Sequence, residues 1–185
     1  MRHLDADQLA AGLAHIRASP TDDGILKLVV ARPSAGERHV VAVGELSLAD
    51  GLIGDNWNQR PSRRSADGGP HPDMQLNLIN ARLSAHIAED EAHRALCGDQ
   101  LHVDLDLSVD NLPPGTRLAI GDAVIEITDQ PHTGCAQFRE RFGGAALRFV
   151  NTGPGKQLRL RGINAKVVEP GRIAAGDAIR KVPTG

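Results

Sequence analysis

The sequence predicts a mostly-β, α+β domain, a barrel or sandwich with a few peripheral helices. Three observations lead there. Short β-patterned runs crowd the C-terminal half: QLHVDLDLS, TRLAI, AVIEIT, INAKVVEPG and DAIRKV. Turn signals separate them, namely the LPPGT turn and the pairs Gly98-Asp99, Gly121-Asp122 and Gly176-Asp177. Many short strands joined by tight turns are the mark of barrels and sandwiches. No βαβ rhythm is present and no G-x-G-x-x-G follows a strand, which argues against a dinucleotide-binding fold.

Each element follows from local pattern. From about Asp5 to Ala18 the chain reads as a helix, capped by Asp5 or Asp7, with Leu9, Leu13 and Ile16 at helical spacing and Pro20 closing it. GILKLVVARP and ERHVVAVGEL, joined by SAG, read as a hairpin. Gly51 to Asp73 is dense in Gly, Pro, Asn, Asp and Arg and lacks periodicity. It is the longest candidate active-site loop, since structureless loops beyond about 12–15 residues are usually functional or disordered. MQLNLIN reads as a strand and ARLSAHIAEDEAHRAL as a helix, with Gly98 suited to its C-cap. QLHVDLDLS alternates: Leu101, Val103, Leu105 and Leu107 share one face, and His102, Asp104 and Asp106 the other. One helix, from about Ala136 to Val150, interrupts the later strands. The expected organisation is a helical appendage over residues 1–23 and a β domain over 24–185.

Composition bounds the function. Of 185 residues 41% are hydrophobic and only 2% aromatic, with no tyrosine, so Leu, Ile, Val and Ala must build the core. Scarce aromatics and a net charge of −2 argue against nucleic acid as a partner, because base stacking wants aromatic platforms and duplexes want a basic stripe. Two cysteines make no disulfide framework and read as free thiols of a reducing compartment. The N-terminal stretch lacks an apolar signal-peptide core. No apolar run reaches the ~18 residues of a membrane span. The expectation is a cytoplasmic protein with no membrane partner.

The chemistry points to TDQPHTGCAQFRERFG. Cys135 sits where a strand has ended and a helix begins, and a helix N-terminus favours a thiolate. Arg139 lies one turn on, and His132 lies three residues upstream. Such a thiolate attacks, carries sulfur or ligates a soft metal. A small buried cysteine filling space is the plain alternative, and the helix-start position and polar neighbours count against it. Cys97, near a helix C-terminus, reads as core. His132-x-x-Cys135 has zinc-like spacing but no further ligands stand out. His86 and His93 read as a solvated helix face. Gly153-Pro154-Gly155-Lys156 lacks the remaining elements of a phosphate loop and reads as a plain turn. Only four of 21 basic residues are lysine. Arg60, Arg63 and Arg64 cluster in the long loop, and Arg148, Arg159 and Arg161 near the last strands. Guanidinium forks suit planar anions. Codon bias explains the arginine count but not the clustering, and both readings stay open.

GDQLHVDLDLSVDNLPPGTRLAIGDAVIEITDQPHTGCAQF resembles the MOSC domain, found at the C-terminus of molybdenum-cofactor sulfurases and as stand-alone bacterial proteins. The resembling elements are Asn111-Leu112-Pro113-Pro114-Gly115, the Ile120-Gly121-Asp122 step, and a cysteine after a Pro-His segment. RGINAKVVEPGRIAAGDAIRKV and GLIGDNW extend the resemblance over about residues 24–182. Where many members have basic residues or histidine after the early Gly-Asp, this chain has Asn56-Trp57, and its loop lacks their His-Gly-Gly run.

The resemblance implies a closed β-barrel of the pyruvate-kinase-barrel type with an essential cysteine, here Cys135. That cysteine either carries sulfur or ligates molybdenum in the molybdenum cofactor (molybdopterin), and members of the latter group reduce N-hydroxylated compounds. Cys135 is thus the expected catalytic and metal-binding residue, with His132 beside it. Arg60, Arg63, Arg64, Asn111, Thr133, Gly134, Arg139 and Arg161 are the expected cofactor-binding residues. The chain lacks room for a desulfurase part, so no covalently bound pyridoxal phosphate is expected. No cysteine-rich iron–sulfur segment is present, so a separate electron or sulfur donor protein is implied. Two other functions stay open: a non-catalytic module binding a small anionic ligand in the barrel pocket, and a thiol-dependent transferase or hydrolase.

Overall fold

The computed structural model describes residues 3–183. Met1, Arg2, Thr184 and Gly185, at the outer ends of the two expected ranges, lie outside the described residues. The predicted first helix is two: α1 (Ala6–Ala11) and α2 (Leu13–Arg17), divided at Gly12. Asp5 caps α1 reciprocally with Gln8, satisfying two backbone donors. The strands follow as β1 (Gly24–Ala31), β2 (His39–Val41), β3 (Val43–Ser47), β4 (Gly51–Leu52) and β5 (Leu76–Asn80). Next come α3 (Ala81–Ile87), α4 (Glu91–Ala95), β6 (Leu101–Asp104), β7 (Arg117–Ile120) and β8 (Ala123–Ile127). The chain continues through α5 (Ala136–Asn151), α6 (Gly153–Gln157), β9 (Ile163–Glu169), β10 (Gly171–Ala174) and β11 (Ala178–Lys181).

Seven strands close a barrel in the order β1-β6-β5-β9-β8-β7-β11, with β11 returning to pair with β1 at Gly24↔Ile179 and Ile25↔Ala178. β1 is long enough to serve two partners on one edge. Its first residues pair with β11 and its last, Val29 to Ala31, with β2. Every barrel pairing is antiparallel except β5–β6, and that connection carries α3 and α4, as a parallel crossover requires. β10, β3 and β4 form a small second sheet.

Alternation along the strands fills the barrel with aliphatic side chains. Leu76 and Leu78 of β5, Leu101 and Val103 of β6, then Leu105 and Leu107, Ile125 and Ile127 of β8, and Ala165 of β9 join one buried cluster. The expected apolar face of QLHVDLDLS is therefore the inner face. The outer face is covered on one side. Ile79 of β5 meets Leu83 and Ile87 of α3, Leu9 of α1, Ile16 of α2, and Phe138, Phe142, Ala146 and Val150 of α5. Fully burying a side chain of this size stabilises by about 1.5–3 kcal/mol, so the helices are held by this seam.

Further sequence readings need correction. ARLSAHIAEDEAHRAL is two short helices rather than one, and His93 is buried and stacked on Phe142 at 5.0 Å between centroids, not solvated. His102 lies on the face opposite Leu101 and Val103, as read, and is buried there because α3 covers β6, with Ser84 Oγ meeting its Nδ1 at 2.9 Å. The GPGK segment is the short helix α6 rather than a plain turn. No helix among the described residues is long and apolar enough to cross a membrane.

Candidate functional site

The segment leaving β8 delivers Cys135 as the N-cap of α5. Two side-chain bonds hold it there. Gly134 N donates to Asn151 Oδ1 at 3.0 Å, and Asn164 Nδ2 donates to Gln130 O at 3.0 Å. The Cys135 side chain makes no capping bond and is exposed, so its thiol is unspent. Cys97 is buried, as read from sequence, and burial, then the Asp99 carboxylate, pushes its thiol up.

Behind Cys135 stands a fully buried carboxylate, Asp99. Arg161 Nη1 donates to both of its oxygens, at 3.0 and 2.8 Å, and Nη2 donates to Cys97 O at 3.2 Å. The guanidinium lies 5.0 Å from the Phe138 ring centroid, a cation–π contact. His132 Nε2 meets Asp99 Oδ1 at 2.8 Å. Burial opposes the Asp99 charge, but Arg161 and His132 outweigh it and hold its pKa at about 2. Burial, then Arg161, lowers the His132 pKa, with Asp99 opposing. An ionised carboxylate only accepts, so Nε2 of the neutral imidazole carries the proton and donates, leaving Nδ1 as an acceptor.

A second buried pair lies alongside. Arg32 grips Asp55 with Nε to Oδ1 at 2.8 Å and Nη2 to Oδ2 at 2.9 Å. Its Nη1 reaches Asn77 Oδ1 and Gly98 O, each at 2.8 Å. Gln100 Nε2 completes Asp55 at 3.2 Å. Arg32 thus ties the early loop, β5 and the Gly98-Asp99 step into one unit.

Three cavities meet at His132, which lines all of them. The largest, about 490 Å³, is walled by Thr133, Asn151, Lys156, Arg159 and Arg161 among others. A second of about 200 Å³ lies under the loop residues Trp57, Arg60, Pro61 and Ser62. The third, about 150 Å³, holds Cys135 with five arginines: Arg32, Arg38, Arg60, Arg141 and Arg161. Those cations are crowded. Burial, then Arg141, Arg32 and Arg60, brings the Arg38 pKa down to about 10.

The fold therefore gathers Arg60, His132, Cys135 and Arg161 from the sequence-predicted set around one cleft, with Thr133 beside them. Gly134 contributes backbone only. Arg63, Arg64 and Arg139 are exposed and line none of the three cavities, although Arg64 Nη1 reaches Pro131 O at 3.3 Å. Asn111 lies apart, bonding Thr21 O, Asp106 O and Lys181 Nζ. Sequence reasoning missed Arg32, Arg38, Asp55, Asp99 and Arg141. Asp55 and Asp99 each follow a glycine; the first such pair reads as part of the early motif GLIGDNW and the second as turn punctuation, and neither carboxylate reads as a buried partner for an arginine. No group of three or more His, Cys, Asp or Glu side chains that could hold a metal ion gathers among the described residues.

The MOSC domain family matches residues 72–180 of the chain, a stretch that runs from just before β5 into β11 and includes Asp99, His132, Cys135 and Arg161. No curated protein matches it in sequence. In structure it is similar to the YuaD protein of Bacillus subtilis, with 15% identity, a TM-score of 0.65, and coverage of 88% of this chain and 97% of that one. It is also similar to YiiM of Escherichia coli, at 20% identity and a TM-score of 0.54, over 87% of this chain and 71% of that one. YiiM of Geobacillus stearothermophilus gives 15% and 0.52, over 89% and 75%. These structures share its barrel, and with the sequence match extending over more than half its length, the chain belongs to the MOSC domain family.

Proposed function

We propose that the protein binds the molybdenum cofactor in the cleft around His132, with Cys135 as its protein ligand, and reduces N-hydroxylated or related small molecules using a separate electron donor protein. The observation that carries this reading is the convergence of one exposed, unspent thiol with a cationic cleft. The residues suit such a group. A cofactor that brings its own sulfur ligands needs one protein thiolate rather than a cluster of ligands, and thiolates select soft metals. The Arg161 Nε is buried without a partner, a donor waiting for an acceptor.

Cys135 would ligate the metal. Lys156, Arg159 and Arg161, in the 490 Å³ cavity, would hold the anionic tail, since charge-assisted bonds to phosphate are strong. Bound there, the cofactor supplies two-electron chemistry at an N–O bond. The protein's own contribution is placement and a proton path. His132, fixed by Asp99 through Nε2, lines the cleft, and its unprotonated Nδ1 would accept a proton during turnover. Asp99 keeps the ring in one tautomer, and Phe138 screens Arg161 from water.

The test is elemental mass spectrometry on protein co-expressed with cofactor-synthesis enzymes, beside Cys135→Ser. Stoichiometric molybdenum that the variant loses supports the reading, and equal metal in both sinks it. The exposure of Cys135 favours a second reading, carriage of sulfane sulfur handed over by a partner protein. It requires a persulfide mass on the Cys135 peptide of metal-free protein. Absence of both metal and persulfide leaves the small-anion binding module.

A further inference from the structure

We propose that the arginine-walled chamber beside Cys135 is a subsite for the anionic group of the substrate, a carboxylate or small oxyanion, so that the protein acts on anionic small molecules. This rests on the reading of Cys135 as the reacting centre and adds the substrate class to it.

Charge balance carries the argument. Of the five arginines around the chamber, Arg32 and Arg161 are neutralised by Asp55 and Asp99. Arg38, Arg60 and Arg141 make no ion pair among the described residues. Arg38 and Arg141 each donate to a backbone carbonyl, Glu37 O and Leu96 O. A carbonyl accepts the bond but brings no full negative charge. Three uncompensated guanidiniums thus border one small space, and the Arg38 Nε is buried with no partner at all. Partly desolvated cations held together repel one another, and a bound anion removes that repulsion.

Size narrows the ligand. At about 150 Å³ the chamber holds roughly five waters' worth of liquid volume. That is room for a carboxylate, sulfate or phosphate group. The neighbouring cavity has its own cations in Lys156 and Arg159 for a cofactor phosphate, which leaves the chamber's three for another anion. A neutral substrate gains nothing from them. Planar, forked guanidiniums favour bidentate recognition of a carboxylate over a point charge.

The alkylation measurement reads Cys135 itself in metal-free protein, so its outcome stands independently of molybdenum binding. Alkylation rates with iodoacetate and with neutral iodoacetamide are measured and normalised to glutathione. Cys97 is buried, and Cys135→Ala gives the background. The expected iodoacetate preference over glutathione is about tenfold, the low end of what a focusing cleft supplies. Arg38→Gln/Arg141→Gln brings the preference back to that of glutathione, while Arg17→Gln/Arg172→Gln, which removes two exposed charges elsewhere, leaves it intact. Replacing chloride by sulfate at constant ionic strength slows iodoacetate on the wild-type protein, a readout that needs no variant to fold. A wild-type preference equal to glutathione's, or one lost equally in both double variants, overturns the proposal. Sulfate stabilisation of the molybdenum-loaded protein against heat supports a substrate anion. Sulfate stabilisation confined to metal-free protein assigns the chamber to the cofactor phosphate and overturns it.

Discussion

Asp99 Oδ1 accepts from His132 Nε2 at 2.8 Å while the same carboxylate takes Arg161 Nη1 on both oxygens. One buried side chain therefore fixes both a tautomer and a cation. Removing its charge leaves Arg161 buried and unpaired. Breaking a buried pair by losing one partner costs about 3–5 kcal/mol. Asp99→Asn is expected to lower unfolding free energy by that amount in urea titrations. A change below about 1 kcal/mol would show that Arg161 is satisfied by other groups.

Acid stability should fall in two stages. Burial lowers the His102 pKa from its ordinary 6.5 to about 4. The unfolded chain then binds the proton more readily, so stability is intact above pH 6.5 and is lost as pH falls toward 4. The span corresponds to about 3 kcal/mol. Asp99 is depressed from 3.8 to about 2 despite burial, so its contribution is present above 3.8 and disappears below that. Urea midpoints measured from pH 7 to 3 check the first stage. His102→Gln should flatten the slope between 6.5 and 4 without abolishing it, because burial lowers His132 as well.

Arg32→Lys keeps the charge and loses the fork. Lysine cannot span both Asp55 oxygens, Asn77 and the Gly98 carbonyl together. The expected loss is about 2–3 kcal/mol by chemical denaturation. Wild-type stability would mean that the bidentate geometry is incidental.

Gly162 closes the site from below. Its φ is 107°, and a Cβ there would lie 2.2 Å from Leu78 O, 3.1 Å from His132 Cδ2 and 3.2 Å from Asp99 Oδ1. The backbone carbonyl cannot retreat without breaking the β5–β9 ladder. Gly162→Ala should cost at least about 2 kcal/mol and lower Tm by roughly 4–8 °C. Calorimetry decides, and an unchanged Tm would refute the steric argument.

Strand periodicity made the barrel interior legible. Leu101, Val103, Leu105 and Leu107 alternate in sequence and fill the core in space. Their opposite face was not legible, because whether His102 meets water or α3 depends on a crossover that alternation cannot see. Cys135 was legible because helix-start chemistry is local. Of its surroundings, Arg60, His132 and Arg161 were named from the sequence, but the groups that pair with them or crowd them were not. Arg32, Asp55, Asp99 and Arg141 come from four separated segments, and only the closed barrel places them together. Asp99 reads as a turn residue because a glycine before a short acid is what a turn needs, and nothing local shows that this carboxylate is buried against Arg161.

The shared edge of β1 sets the order of assembly. Its N-terminal residues find their partner only in Ala178–Lys181, some 150 positions later in the chain. A ribosome adds about 5–20 residues per second, so the nascent chain spends seconds with every component of the cleft already made and the wall still open. Through that interval β1 and β7 offer bare hydrogen-bonding edges to any other strand. How fast the four-residue strand β11 zips onto β1 sets how long those edges stay bare, and pairing with a strand of another molecule in that interval is where aggregation would begin.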